Sequence, residues 1–180
     1  MQTDTVKVWD PLVRVFHWSL VLFFFAAYLT AEELDTVHAW SGYVVLGLVA
    51  FRLVWGLVGT RHARFSDFVR GPATVIAYLK DLVAFRAKRY LGHNPAGGVM
   101  IVALLVSLVI TGITGLMVYG AHDQAGPLAA SMAGIGHDTG EGLEEVHEFF
   151  GNFTLFLVAL HILGVVVSGK LHGENLVRAM

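Results

Sequence analysis

The stretch EEVHEFFGNFTLFLVALHILGVVVSGK, Glu144 to Lys170, decides how the chain is read. Between Glu148 and Lys170 it holds no Asp, Glu, Lys or Arg. About 20 apolar residues at about 1.5 Å each cross the roughly 30 Å of hydrocarbon in a bilayer. Yet His147 stands at its mouth and His161 well inside. Imidazole is costly to place in hydrocarbon unless its nitrogens are partnered. The segment therefore reads as a membrane span whose histidines bind something.

Three further segments read the same way, so the expected spans are Val13–Ala31, Val37–Val58, Gly97–Tyr119 and Phe149–Ser168. The composition agrees. The 180 residues fit one domain, 56% of them hydrophobic and 14% charged, with mean hydropathy +0.65. That is more apolar surface than a soluble domain of this size can hide. Cysteine is absent, which excludes disulfides, thiolate metal sites, iron–sulfur clusters and covalently attached haem. The first span shows no small-residue cleavage site and carries His17, so it is expected to be retained rather than removed as a signal peptide.

The charges orient the spans. Lys7 and Arg14 flank or enter span one, and Arg52 lies near the far end of span two. Arg61, Arg64, Arg70, Lys80, Arg86, Lys88 and Arg89 fall between spans two and three, and Lys170 and Arg178 follow span four. The other two connections hold Glu32, Glu33, Asp35, Asp123, Asp138, Glu141, Glu144, Glu145 and Glu148, with no Lys or Arg. Basic loops stay inside. The expected fold is thus an all-α integral membrane four-helix bundle with both termini cytoplasmic. Between spans two and three, Pro72 can open a short helix over 72–86. Its Val75, Ile76, Leu79, Leu82 and Val83 share a face that either lies in the membrane interface or packs on the bundle.

His147 and His161 are fourteen residues apart, close to four helical turns. Both face nearly the same side, about 21 Å apart along the axis. In VRVFHWSLVLFFFAAYL, His17 sits at the cytoplasmic depth of His161. In DTVHAWSGYVVLGLVAFRLVWG, His38 sits at the periplasmic depth of His147. Two inner and two outer histidines, without cysteine or an intramembrane carboxylate cluster, suit haem b ligated by two imidazoles. Coordination offsets the burial of the ring nitrogens.

Gly42 follows His38 by four residues and Gly151 follows His147 by four, while Gly164 follows His161 by three. Missing side chains there either clear a porphyrin edge or serve as small-residue helix contacts. Arg52, fourteen residues after His38, shares its face at the inner depth, and Arg14 lies one turn before His17. Each arginine either pairs with a haem propionate or, by snorkelling, with lipid headgroups. His93 stands in GHNPAGG, where Asn94 can cap and Pro95 can begin span three. His62 and His172 read as interfacial, and His122 and His137 as exposed residues of a Gly-rich outer loop. Gly97, Gly98, Gly112, Gly115, Thr111 and Thr114 of span three read as close helix packing.

With VRVFHW, HAWSGY leading to FRLVWG, GHNPAGG and HEFFGNFTLFLVALHILG, the chain resembles the bacterial cytochrome b561 family over essentially its whole length. That family is related to the b-type subunits of nickel–iron hydrogenases and formate dehydrogenases. The resemblance implies a bacterial inner-membrane protein with two haems b, one near each surface. His17 and His161 would ligate the cytoplasmic haem, and His38 and His147 the periplasmic one. Such proteins move electrons between a quinone, ubiquinone or menaquinone, and a partner at the membrane surface. For this chain the acidic outer loops favour a basic partner, expected to be a periplasmic c-type cytochrome, over superoxide. Superoxide:quinone oxidoreduction and a haem-bearing anchor for a hydrogenase or dehydrogenase stand as alternatives, and quinol oxidoreductase activity is left open. A transporter or channel would need acidic residues within the spans and broken helices, and neither is present. Lipid is a partner; nucleic acid is not expected.

Overall fold

The computed structural model describes residues 8–180; Lys7, counted above among the basic residues, lies outside them. Asp10 starts the first helix, α1 (Pro11–Leu29): its Oδ1 accepts from the Val13 N–H at 2.9 Å. Proline at the first helical position gives up an N–H that would have no partner there anyway. The other Asp10 oxygen accepts from the Thr60 hydroxyl and, at 3.3 Å, from the Trp55 indole. The start of α1 is thereby tied to the end of α2 (Asp35–Val58). Burial pushes the Asp10 carboxyl up, but the hydrogen bonds from Thr60, Val13 and Trp55 outweigh it and hold it below the usual range.

A 3₁₀ turn (Arg61–Ala63), α3 (Phe65–Phe68) and α4 (Pro72–Val83) follow. Next come α5 (Pro95–His122), α6 (Ala129–Met132), α7 (His137–His172) and α8 (Leu176–Ala179). Asn94 caps α5 as expected, accepting from the Gly97 N–H at 2.8 Å. Among the described residues there is no strand, and α1, α2, α5 and α7 are each long and apolar enough to span a membrane. Their outward residues, such as Leu22, Leu29 and Leu57, are exposed, as lipid-facing positions should be.

Two helices depart from the sequence expectation. α7 begins at His137 rather than at Phe149. Hydropathy marks only the apolar run, whereas the acidic turns before it also hold helix. Asp138 and Glu141 favour the positive end of the helix dipole, and Gly140 packs so close to His122 that a Cβ would lie 3.0 Å from its Nε2. His122 and His137 therefore end and begin helices instead of lying in a loop. α4 stops at Val83, short of 86, because Phe85 turns to φ +55°. It docks through buried Tyr78, which meets the Tyr90 ring edge-on, while Ile76, Leu79 and Val83 stay uncovered.

The chain divides into two compact units. The first comprises the described part of Met1–Trp18, with Phe51–Val102 and Ala159–Met180. Its core holds Phe16, Phe51 and Trp55 in contact, and Phe68, which is 1% exposed. Phe65 lies so close over Gly56 that no larger residue fits there. The second unit comprises Ser19–Ala50 and Ala103–Val158. Leu46 packs onto Gly112, and Thr154 is fully buried beside Ser107. The Thr154 hydroxyl donates to the Phe150 carbonyl, so Ser107 must donate to Thr154, at 2.7 Å. Such interhelical bonds within a membrane average about 0.6 kcal/mol.

Candidate functional site

Each unit contains one of the expected histidine pairs. In the second, α2 presents His38 and α7 presents His147, their ring centroids 5.9 Å apart and their planes perpendicular. Both rings are fixed from behind. His38 Nδ1 donates to the Ala27 carbonyl of α1 at 2.9 Å, and His147 Nδ1 donates to the Thr111 carbonyl of α5 at 2.9 Å. A carbonyl can only accept, so the protons sit on Nδ1 and each Nε2 keeps its lone pair. This is the arrangement of metal-ligating histidines, whose second nitrogen is held by a backbone acceptor. Two imidazoles joined to one iron at about 2 Å each would have centroids roughly 6 Å apart, close to what is seen. Among the described residues no group of three His, Cys, Asp or Glu could hold a bare metal ion. A pair of imidazoles fits a metal that arrives with further ligands of its own, and a porphyrin-bound iron would be one.

The glycines near the histidines differ in what surrounds them. A Cβ on Gly42 or Gly151 would meet nothing within 4 Å, and the same holds for Gly164 in the first unit. These glycines are therefore not close helix contacts, the alternative that sequence left open. Gly115 is the reverse: a Cβ there would lie 2.8 Å from His147 Cε1, so the α5 backbone itself backs the ring. The Thr114 hydroxyl, already donating to the Ile110 carbonyl, stands 3.3 Å from His147 Nδ1.

The first unit holds His17 of α1 and His161 of α7. His17 Nδ1 is buried without a hydrogen-bond partner among the described residues. Arg52 is only 3% exposed, and its Nη1 likewise has no partner among them. Its guanidinium lies 5.0 Å from the Phe65 ring and 5.9 Å from that of Phe68, contacts that favour a cation but do not neutralise it. A buried cation in that state calls for an anion, and a propionate would serve. Arg14, by contrast, is exposed, and its Nε donates to the Met180 backbone oxygen at 2.8 Å. Trp18 reaches the same oxygen at 3.2 Å.

His93 sits between the Trp9 and Phe68 rings, at 4.5 and 4.7 Å. Burial pushes its pKa down to about 3, with Arg52 and His161 adding to the effect. It is a neutral imidazole whose Nδ1 is unpartnered among the described residues. Sequence reasoning missed the Ala27 and Thr111 carbonyls, the backing role of Gly115, and the Phe65 and Phe68 rings about Arg52. Only Gly115 carried a signal, as one of several small residues in span three.

Comparison with known proteins adds to this geometry. A family model described as prokaryotic cytochrome b561 matches residues 8–180. A probable Ni/Fe-hydrogenase B-type cytochrome subunit of Azotobacter vinelandii is 27% identical over 144 residues, covering 63% of this chain. The match spans 59% of that relative's length. No solved structure matches significantly.

Proposed function

Because the chain belongs to the prokaryotic cytochrome b561 family, it is a multi-pass membrane protein that carries electrons on haem b, and we propose that it holds two such haems and links the quinone pool to a redox partner at the periplasmic surface. His38 and His147 ligate one haem; His17 and His161 ligate the other. The observation that carries this reading is the His38–His147 pair, 5.9 Å apart with both Nδ1 atoms donating to backbone carbonyls. When bound, haem would supply a one-electron couple, and two imidazoles holding its iron would suit electron transfer rather than catalysis at the metal.

The protein's own groups then have separate tasks. The Ala27 and Thr111 carbonyls hold two ligand rings in the tautomer that coordinates. Gly42, Gly151 and Gly164 leave space for the macrocycle. Arg52 balances propionate charge, and Arg14 contributes at the rim through the guanidinium nitrogens beyond its Nε. The charge asymmetry between the loops supports an inner-membrane topology with both termini cytoplasmic. The acidic connections, now including the first turns of α7, favour a basic periplasmic partner such as a c-type cytochrome.

One observation favours a second reading. The similar Azotobacter protein is named as a probable hydrogenase subunit, so this chain would instead anchor a soluble oxidoreductase and pass its electrons to quinone. Two measurements on detergent-purified protein test the proposal. Pyridine haemochrome should give two haems b per chain; one would reduce the four histidines to a single ligand pair. Mixed with a reduced quinol alone, the protein should show haem reduction and pass electrons to an added cationic cytochrome. Haem reduction that requires a hydrogenase would establish the second reading.

A further inference from the structure

The segment between α2 and α5 carries seven of the twelve basic residues, Arg61, Arg64, Arg70, Lys80, Arg86, Lys88 and Arg89, against Asp67 and Asp81. The proposed electron path uses none of them. Within this segment an open cavity of about 370 Å³ is lined by Arg61, Arg70, Tyr90 and Leu91. Its one acid, Asp67, is already engaged. One Asp67 oxygen is 3.1 Å from His62 Nδ1 and the other 3.7 Å from Arg61 Nε. Arg70 donates only to the Asp67 carbonyl and meets no carboxylate among the described residues, so the cavity keeps a net positive charge even with His62 neutral.

The surroundings are not those of a site for a small soluble anion. Val69 and Leu91, beside the cavity residues, are about half exposed, and Phe85 is 79% exposed. α4 leaves Ile76, Leu79 and Val83 uncovered while Tyr78 anchors its other face. An uncovered apolar helix face in the same segment as Arg70, whose guanidinium meets no carboxylate among the described residues, suits a ligand that is anionic at one end and aliphatic at the other. We infer that Arg61, Arg70 and Tyr90 form a headgroup site for an anionic phospholipid, with α4 and Leu91 lying against its acyl chains. The shared chemistry is a phosphodiester anion bound by guanidinium donors and a phenol.

Native mass spectrometry of the haem-loaded full-length protein in neutral detergent tests this, with phosphatidylglycerol, phosphatidylcholine and inorganic phosphate as probes. One phosphatidylglycerol per chain should be retained at least tenfold more strongly than phosphatidylcholine. The double variant Arg61→Gln/Arg70→Gln should lose that preference with its haem spectrum unchanged. Arg61→Lys/Arg70→Lys should recover most of it, and Lys80→Gln, in α4 but outside the cavity, should keep it. Millimolar phosphate should fail to displace the lipid. Displacement by phosphate would reassign the cavity to a soluble anion. Equal retention of the two lipids, or an unaffected double variant, would overturn the site altogether.

Discussion

The two units hold equivalent histidine pairs in opposite ways. In the second, hydrogen bonds do the work: each imidazole is locked through Nδ1 to a carbonyl on a neighbouring helix. In the first, His17 Nδ1 is left without such a partner among the described residues, and the same unit holds Arg52, buried and shielded by the Phe65 ring. A donated N–H makes an imidazole a more electron-rich ligand, while a nearby cation stabilises the reduced iron. On the proposed pairing, the contrast should give one protein two potentials from the same ligand set. The second-unit haem should have the lower potential and the first-unit haem the higher.

The most severe way to break this comparison is to remove ligands one unit at a time. His147→Ala should abolish one haem and leave the other, halving the haemochrome absorbance, and His17→Ala should do the same for its own unit. If either variant lost both haems or kept both, the pairing would be wrong. Glycine substitutions come next. Gly115→Ala forces a methyl against His147 and should lower second-unit haem occupancy severalfold. Gly42→Ala meets no protein atom, so any haem it loses reports on the porphyrin itself. Unaltered occupancy in Gly42→Ala would mean that the macrocycle lies elsewhere.

A smaller effect sharpens the electrostatic half of the contrast. Because His93 has its pKa lowered to about 3 when folded, only the unfolded chain takes up a proton there between about pH 6.5 and pH 3. Stability from this neutral imidazole is complete above that window. It falls as pH drops through it, by up to about 1.4 kcal/mol per pH unit. His93→Phe, which keeps an aromatic between Trp9 and Phe68, should flatten the slope of thermal stability between pH 6 and 4. An unchanged slope would show that other groups set the acid response. The smallest effect belongs to Arg52→Gln. It should lower the midpoint of the first-unit haem alone by tens of millivolts, about 60 mV corresponding to a tenfold change for a one-electron couple. Spectroelectrochemistry resolving two waves decides it, and a shift of both waves, or of neither, would detach Arg52 from that haem.

The four spans were legible because membrane crossing imposes a length and an apolarity that few other structures need. His17, His38, His147 and His161 stood out as candidate ligands because an imidazole in such a segment has no cheap alternative to a partner. Arg52 stood out as a candidate for the same reason, although its shielding by Phe65 and Phe68 depends on how the chain after α2 folds back. The Ala27 and Thr111 carbonyls left no trace, since every residue carries a carbonyl and only packing selects one. The start of α7 was missed because a hydropathy window registers apolar content, whereas HDTGEGLEEVHE is polar and its acids favour the positive end of the helix dipole. The contact of Arg14 Nε with the Met180 backbone oxygen left no trace either, since spacing places a residue on a helix face without naming its partner.

The early start of α7 has a consequence for encounter rates. From His137 to Glu148 the helix rises about 18 Å before its apolar run, carrying Asp138, Glu141, Glu144, Glu145 and Glu148. That length is about twice the physiological screening distance of about 8 Å. A cationic protein diffusing along the membrane would meet an acidic rod's field before touching any surface, and would be turned by it during approach. Collision frequency, more than residence time, should then carry the ionic-strength dependence of electron delivery.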